Sequence, residues 1–170
     1  DRPMTLPEYI TATRTTDLVG TVKHAALGII SEVGEVYGVL AKIERGDKID
    51  RAERMTGELG DVAWYLARLT DLAAPSLLAP DLDPPLTFQA YDCLQDPFDD
   101  LAARLSDFGF MYLQHPGGAS RDGWHRLSWF RWARLCSIEN LDPALVLSAN
   151  LAKLRDRQTR KVLQGDGDHR

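Results

Sequence analysis

Cysteine is scarce: Cys93 and Cys136 are the two in 170 residues, far apart and in no CxxC or Cys/His spacing. That argues against a disulfide framework or a zinc site, and fits a reducing cytoplasm. Long apolar runs are missing as well. No stretch approaches the roughly 20 residues that span a bilayer, and no signal-peptide pattern opens the chain, so the expectation is a soluble, cytoplasmic protein with no membrane partner. Positive charge is in deficit, with 20 Lys and Arg against 25 Asp and Glu and a net charge of -5. A general electrostatic grip on a nucleic acid polymer is therefore not expected. Runs of strand-like alternation are absent too, which leaves helices.

Helical periodicity fills nearly all of the chain. From His24 to about Arg45, Leu27, Ile30, Val33, Val36 and Leu40 recur at helical intervals until Gly46 supplies a stop. From Arg51 to about Leu72 the same pattern carries Met55, Leu59, Val62, Leu66 and Leu69. These two segments predict an antiparallel hairpin. The stretch from Ala74, with four prolines before Cys93, reads as a long irregular connection. Further helices follow: one capped by Asp96 with Pro97 at its first position, one through the aromatic run "WHRLSWFRW", and one capped by Asp142 with Pro143 behind it. The fold class is all-α, a helical bundle in one domain spanning 1–170.

Two acidic pairs mark the hairpin: "SEVGEV" holds Glu32 and Glu35, and "GELGDV" holds Glu58 and Asp61. Residues three apart share a helical face. Glu35 stands about ten residues before the turn and the second pair about eight to eleven after it, so at about 1.5 Å per residue all four meet at one height. Carboxylates so crowded repel and raise one another's pKa values unless a cation sits among them. All-oxygen ligation favours Mg²⁺, with Mn²⁺ as substitute, over zinc or copper. A di-iron reading wants Glu-x-x-His pairs, and here Glu35 and Asp61 occupy the histidine offset. Gly28, Gly34, Gly38, Gly57 and Gly60 surround the acids at a helical cost of about 1 kcal/mol each, which points to close helix approach or ligand clearance. The opposing reading is a solvated acidic face that arose by chance.

The stretches "HAALGIISEVGEVYGVLAKI", "GELGDVAWYLARL" and "ANLAKLRDRQTRKVLQGDGDHR" together resemble the MazG-like all-α nucleoside triphosphate pyrophosphohydrolases, whose hallmark is ExxE followed by ExxD on neighbouring helices. The resemblance implies Mg²⁺-dependent cleavage of an NTP or dNTP between the α and β phosphates, giving the monophosphate and pyrophosphate. It carries Glu32, Glu35, Glu58 and Asp61 over as metal-binding and catalytic acids. Asn150 and Lys153 match the "NxxKL" pattern of the later helix. The interval of about 74–132 is longer than the link of compact members and is an insertion.

The remaining substrate-binding candidates come from the residues themselves. Asn150, Lys153 and Arg157 fall on one helical face, suited to phosphate or merely to a solvated helix end, and Lys161 continues the stripe less surely. Lys42, on the face of Glu35, reaches a phosphate or neutralises an acid. His24 and Tyr65 flank the acids as contacts for base or sugar, or as ordinary capping and core residues. Trp64 and Tyr9 are further rings that could stack on a base, while Trp124, Trp129 and Trp132 read as packing. Because the hairpin's apolar faces need cover, a homodimer or homotetramer is expected. Other functions remain open: a nucleotide-binding regulatory module without turnover, a purely structural helical protein, or a phosphoribosyl-nucleotide pyrophosphohydrolase.

Overall fold

A computed structural model describes residues 2–89, 95–117 and 119–161; Cys93, Gly118 and the tail from 162, part of the stretch that carries the resemblance, lie outside them. Six α-helices follow in order: α1 Leu6–Thr13, α2 Val22–Glu44, α3 Arg51–Ala73, α4 Phe98–Gln114, α5 Asp122–Ile138 and α6 Pro143–Thr159. Short 3-10 turns at Arg14–Thr16 and Pro75–Leu78 are the other regular elements, and the described residues contain no strand.

Local chemistry sets most of the boundaries. Thr5 and Glu8 form a reciprocal capping box that starts α1. The side chains of Thr21, Asp50 and Asp142 accept backbone N–H groups at the starts of α2, α3 and α6. Gly46, at φ 89°, turns the chain between α2 and α3. α4 departs from expectation by one residue: Pro97 is its cap position and Phe98 its first residue, so Asp96 caps nothing there. Proline offers no side-chain acceptor, and the negative charges of Asp99 and Asp100 in the first turn favour the helix start instead.

α2 and α3 pack closely, with Gly28 against Tyr65 and Glu32 beside Glu58 and Asp61. Residue numbers rise along one helix as they fall along the other, so the pair is antiparallel. α4 covers a second flank of α2, α5 lies on α4 and α3, and α1 and α6 close on α3. That arrangement corrects the phase expected for the first half of α2. Leu27 is 47% exposed and Ile30 half-buried, whereas Ala25, Ala26, Ile29 and Val33 are buried. Contact with both α3 and α4 widens the buried arc of α2 beyond a single stripe.

Val33, Leu59, Val62 and Leu66 are all buried within the single chain, so its own helices supply the cover for which a second subunit was expected. Trp129 and Trp132 are core residues, and Trp124 is exposed. Each buried indole finds an acceptor: Trp132 Nε1 donates to the Leu59 carbonyl at 2.8 Å, and Trp129 Nε1 to Thr70 Oγ1 at 3.2 Å. Thr70 spends its proton on the Leu66 carbonyl at 2.9 Å, so its oxygen must accept from His125 Nδ1, 2.9 Å away. His125 Nε2 then accepts from the Tyr112 hydroxyl at 2.6 Å. The network therefore fixes the neutral Nδ1-protonated tautomer, and burial pulls His125 down to about 4.

Candidate metal centre

Glu58 and Asp61 project from one face of α3, and Glu32 reaches them from α2; one carboxylate oxygen of each lies within 4.8 Å of the others. Glu58 is buried at 6% exposure, while Glu32 and Asp61 are half-buried. Burial, followed by the charges of Asp61 and Glu58, raises Glu32 to about 8; Glu35 adds to the rise and Lys153 opposes it. Such crowding fits a divalent cation. Oxygens on opposite sides of Mg²⁺ at about 2.1 Å are about 4.2 Å apart, so side chains already this close need only small shifts to share one ion.

α6 compensates part of the charge. Lys153 Nζ donates to both oxygens of Asp61, at 2.6 and 2.7 Å, and Asn150 Nδ2 donates to one of them at 3.1 Å. Asn150 in turn accepts at Oδ1 from the Tyr9 hydroxyl at 2.8 Å. Asn150 sits directly on the backbone of α3, because a Cβ at Gly60 would stand 3.1 Å from the Asn150 Cβ. Gly28 admits an aromatic ring in the same way: a Cβ there would lie 2.1 Å from the Tyr65 ring. The other three glycines do not fit that account. Gly34 and Gly57 face open space, and Gly38 meets only a Glu35 oxygen at 4.0 Å.

Of the expected site residues, Glu32, Glu58, Asp61, Asn150 and Lys153 converge. Glu35 is exposed and stands outside the trio, acting on Glu32 through its field. Tyr65 is at the margin, where burial and then Glu32 and Asp61 raise its hydroxyl. Its ring meets His24 edge-on at 5.6 Å and Trp64 edge-on at 4.9 Å. The Trp64 indole donates to Thr16 at 3.0 Å, so that ring is tied to the turn before α2. Lys42 lies in the last turn of α2, where its charge helps lower Asp47. Arg157 is half-buried one turn beyond Lys153, and Lys161 is exposed after the helix end with φ 58°.

Sequence reasoning missed two features beside this site. One is the bond from Tyr9 to Asn150, because nothing local relates residues 141 positions apart. The other is a buried ion network in which Arg68 donates to Asp17 and to Asp71, each at 2.8 Å, and Arg14 pairs with Asp71. Its signal in the sequence is Arg68 set among Leu66, Ala67 and Leu69; in the fold it is buried at 5% exposure, which demands acceptors from another element. Comparison with family models, curated proteins and solved structures yields no match to this chain.

Proposed function

We propose that this chain is a MazG-like, Mg²⁺-dependent nucleoside triphosphate pyrophosphohydrolase, with Mn²⁺ able to substitute. The observation that carries the reading is the meeting of Glu32, Glu58 and Asp61 from two helices with Lys153 and Asn150 from a third. Glu32, Glu58 and Asp61 are the residues that would hold the cation. A bound Mg²⁺ supplies charge to the phosphoryl oxygens and acidifies its own water. Lys153 brings an ammonium on a flexible stem to the edge of the cluster, the charge that a triphosphate needs opposite it. The rings of His24 and Trp64, each in edge contact with Tyr65, whose hydroxyl feels the charge of Glu32, would offer apolar faces to a base.

The test is a Mg²⁺-dependent pyrophosphate-release screen across the common NTPs, dNTPs and phosphoribosyl-nucleotides, with Glu58→Gln as control. Release that requires Mg²⁺ and Glu58 supports the proposal; no release with any of them sinks it. The exposed position of Glu35, outside the trio, favours a second reading in which the chain binds nucleotide without cleaving it. Calorimetric binding in the absence of any released pyrophosphate would select that alternative. Homodimer or homotetramer formation is part of the proposal, although its ground narrows to exposed apolar side chains such as Leu27, Phe110 and Trp124. Sedimentation equilibrium tests it, and a fully active 19.0 kDa monomer would refute it.

A further inference from the structure

Tyr9 is entirely buried, and its hydroxyl points to one partner, the Asn150 carboxamide. A phenylalanine would fill the same space, so packing does not explain the oxygen. Asn150 is itself buried, at 3% exposure, and has different neighbours on its two ends. Asp61, paired as a carboxylate with Lys153, can only accept, so Asn150 must turn its NH₂ toward Asp61. Its Oδ1 then faces Tyr9, whose hydroxyl donates. With the amide reversed, two acceptors would confront each other at Asp61, and the phenol, which can accept as well as donate, would be left with its own proton unplaced in a buried site.

We infer that Tyr9 is a positioning residue for Asp61, acting through Asn150: its hydroxyl anchors the Oδ1 end of the carboxamide, so that the NH₂ end, which Asp61 selects, is held in place on the carboxylate. The inference rests on the proposed cation site for its consequence, because a ligand held by an oriented donor is presented to an ion at lower cost. Two further features support it. The burial that surrounds Tyr9, with the charge of Asp61 beyond, pushes the phenol well above its ordinary value, so it stays a donor. The capping box of α1 and the buried flanking residues Leu6 and Ile10 keep that donor in place, while the backbone at Gly60 stops Asn150 from sliding away.

Tyr9→Phe removes the hydroxyl and nothing else. Measured by electron paramagnetic resonance with Mn²⁺ alone, its dissociation constant should rise about tenfold or more, with only a few degrees' loss in melting temperature. Asn150→Ala should show the same loss, and the double variant no more. Wild-type Mn²⁺ affinity in Tyr9→Phe would overturn the inference and leave Tyr9 a core residue. If the wild-type chain binds no Mn²⁺, the cation reading falls, and the inference is decided in metal-free protein by urea unfolding. There Tyr9→Phe and Asp61→Asn should be non-additive by about threefold or more in the unfolding equilibrium constant, with the coupling lost in an Asn150→Ala background; additivity overturns it. Should Tyr9→Phe not fold, the wild-type Asn150 carboxamide protons are read by NMR. Slow exchange with water supports the lock, and exchange as fast as that of exposed carboxamides overturns it.

Discussion

Lys153→Met is the perturbation that separates the proposed roles of α6 most sharply. The ammonium makes two short bonds to Asp61, and the two side chains are 29% and 17% exposed. Fully exposed pairs contribute about 0–1 kcal/mol, whereas breaking a buried pair costs about 3–5 kcal/mol. This partly screened pair falls between them, at about 2 kcal/mol. At about 2–4 °C per kcal/mol for a domain of this size, melting in EDTA at pH 7 should drop by about 4–8 °C. Divalent cation should change the comparison. Removing a competing positive charge from Asp61 tightens Mn²⁺ binding, so saturating Mn²⁺ should close much of the gap in melting temperature. Nucleotide turnover should move the other way and fall about tenfold or more, since a charge-assisted contact to phosphate is lost. Tighter Mn²⁺ with slower turnover is the signature to seek by calorimetry and pyrophosphate release. An unchanged melting temperature in EDTA, or weaker Mn²⁺ binding, would refute the reasoning.

The acids themselves make the next test: Glu58→Gln and Asp61→Asn should abolish pyrophosphate release while leaving far-UV circular dichroism unchanged, and wild-type turnover in either would remove the cation site. Glu35→Gln, altering an exposed acid outside the trio, should cost activity far less than Glu58→Gln; equal losses would bring Glu35 back among the ligands. In EDTA, stability should fall as pH rises between about 6.5 and 8, because Glu32, raised to about 8 in the fold, binds a proton there that the unfolded chain has released. The whole loss from about pH 4.5 to 8 is on the order of 3 kcal/mol after allowance for its partial exposure, of which about 1 kcal/mol falls above pH 6.5, and urea unfolding at each pH with and without Mg²⁺ should show the cation flattening it. His125, lowered to about 4, works in the opposite direction: its contribution is full above 6.5 and is lost as pH falls through 4, about 3 kcal/mol in all. The two slopes oppose each other between about 4.5 and 6.5, so Glu32→Gln should unmask a rise in stability across that window. A flat profile in that variant would contradict the buried neutral histidine.

The extent to which the sequence reveals this molecule depends on the range of each contact. Helix ends at Asp142 with Pro143 and at Gly46 are readable because cap and turn are decided within four residues. The acid trio is readable because helix rise and a short turn fix which residues of a hairpin face each other. The phase of α2 at Leu27 and Ile30 is not, since α4 joins that flank from about 80 residues away and no local period reports it. Lys153 illustrates the same limit in a charged side chain. Its face on α6 is legible, but the carboxylate it bonds, Asp61, is 92 positions earlier and no local pattern announces it.

The two acidic pairs carry that limit into the site itself. In sequence they are equivalent, each with two carboxylates three residues apart. Three residues rotate an α-helix by about 300°, so the members of a pair are offset by about 60° around the axis. On α3 both members remain at the seam, because α6 packs against that helix and brings Asn150 and Lys153 to Asp61. On α2 the same offset leaves Glu32 at the seam and Glu35 on the exposed rim. The asymmetry thus arises from α6, an element about 90 residues beyond the motif it modifies. It gives the two helices different chemistry: α3 presents a buried acid and one paired directly with Lys153, whereas α2 presents an acid that Lys153 offsets only through its field and whose proton affinity is raised. On the proposed cation site, Glu32 is the group at which ion binding would displace a proton, and Mn²⁺ titration in weakly buffered solution near pH 7 should release a proton that Glu32→Gln does not. Equal proton release from both chains would move that coupling to another group.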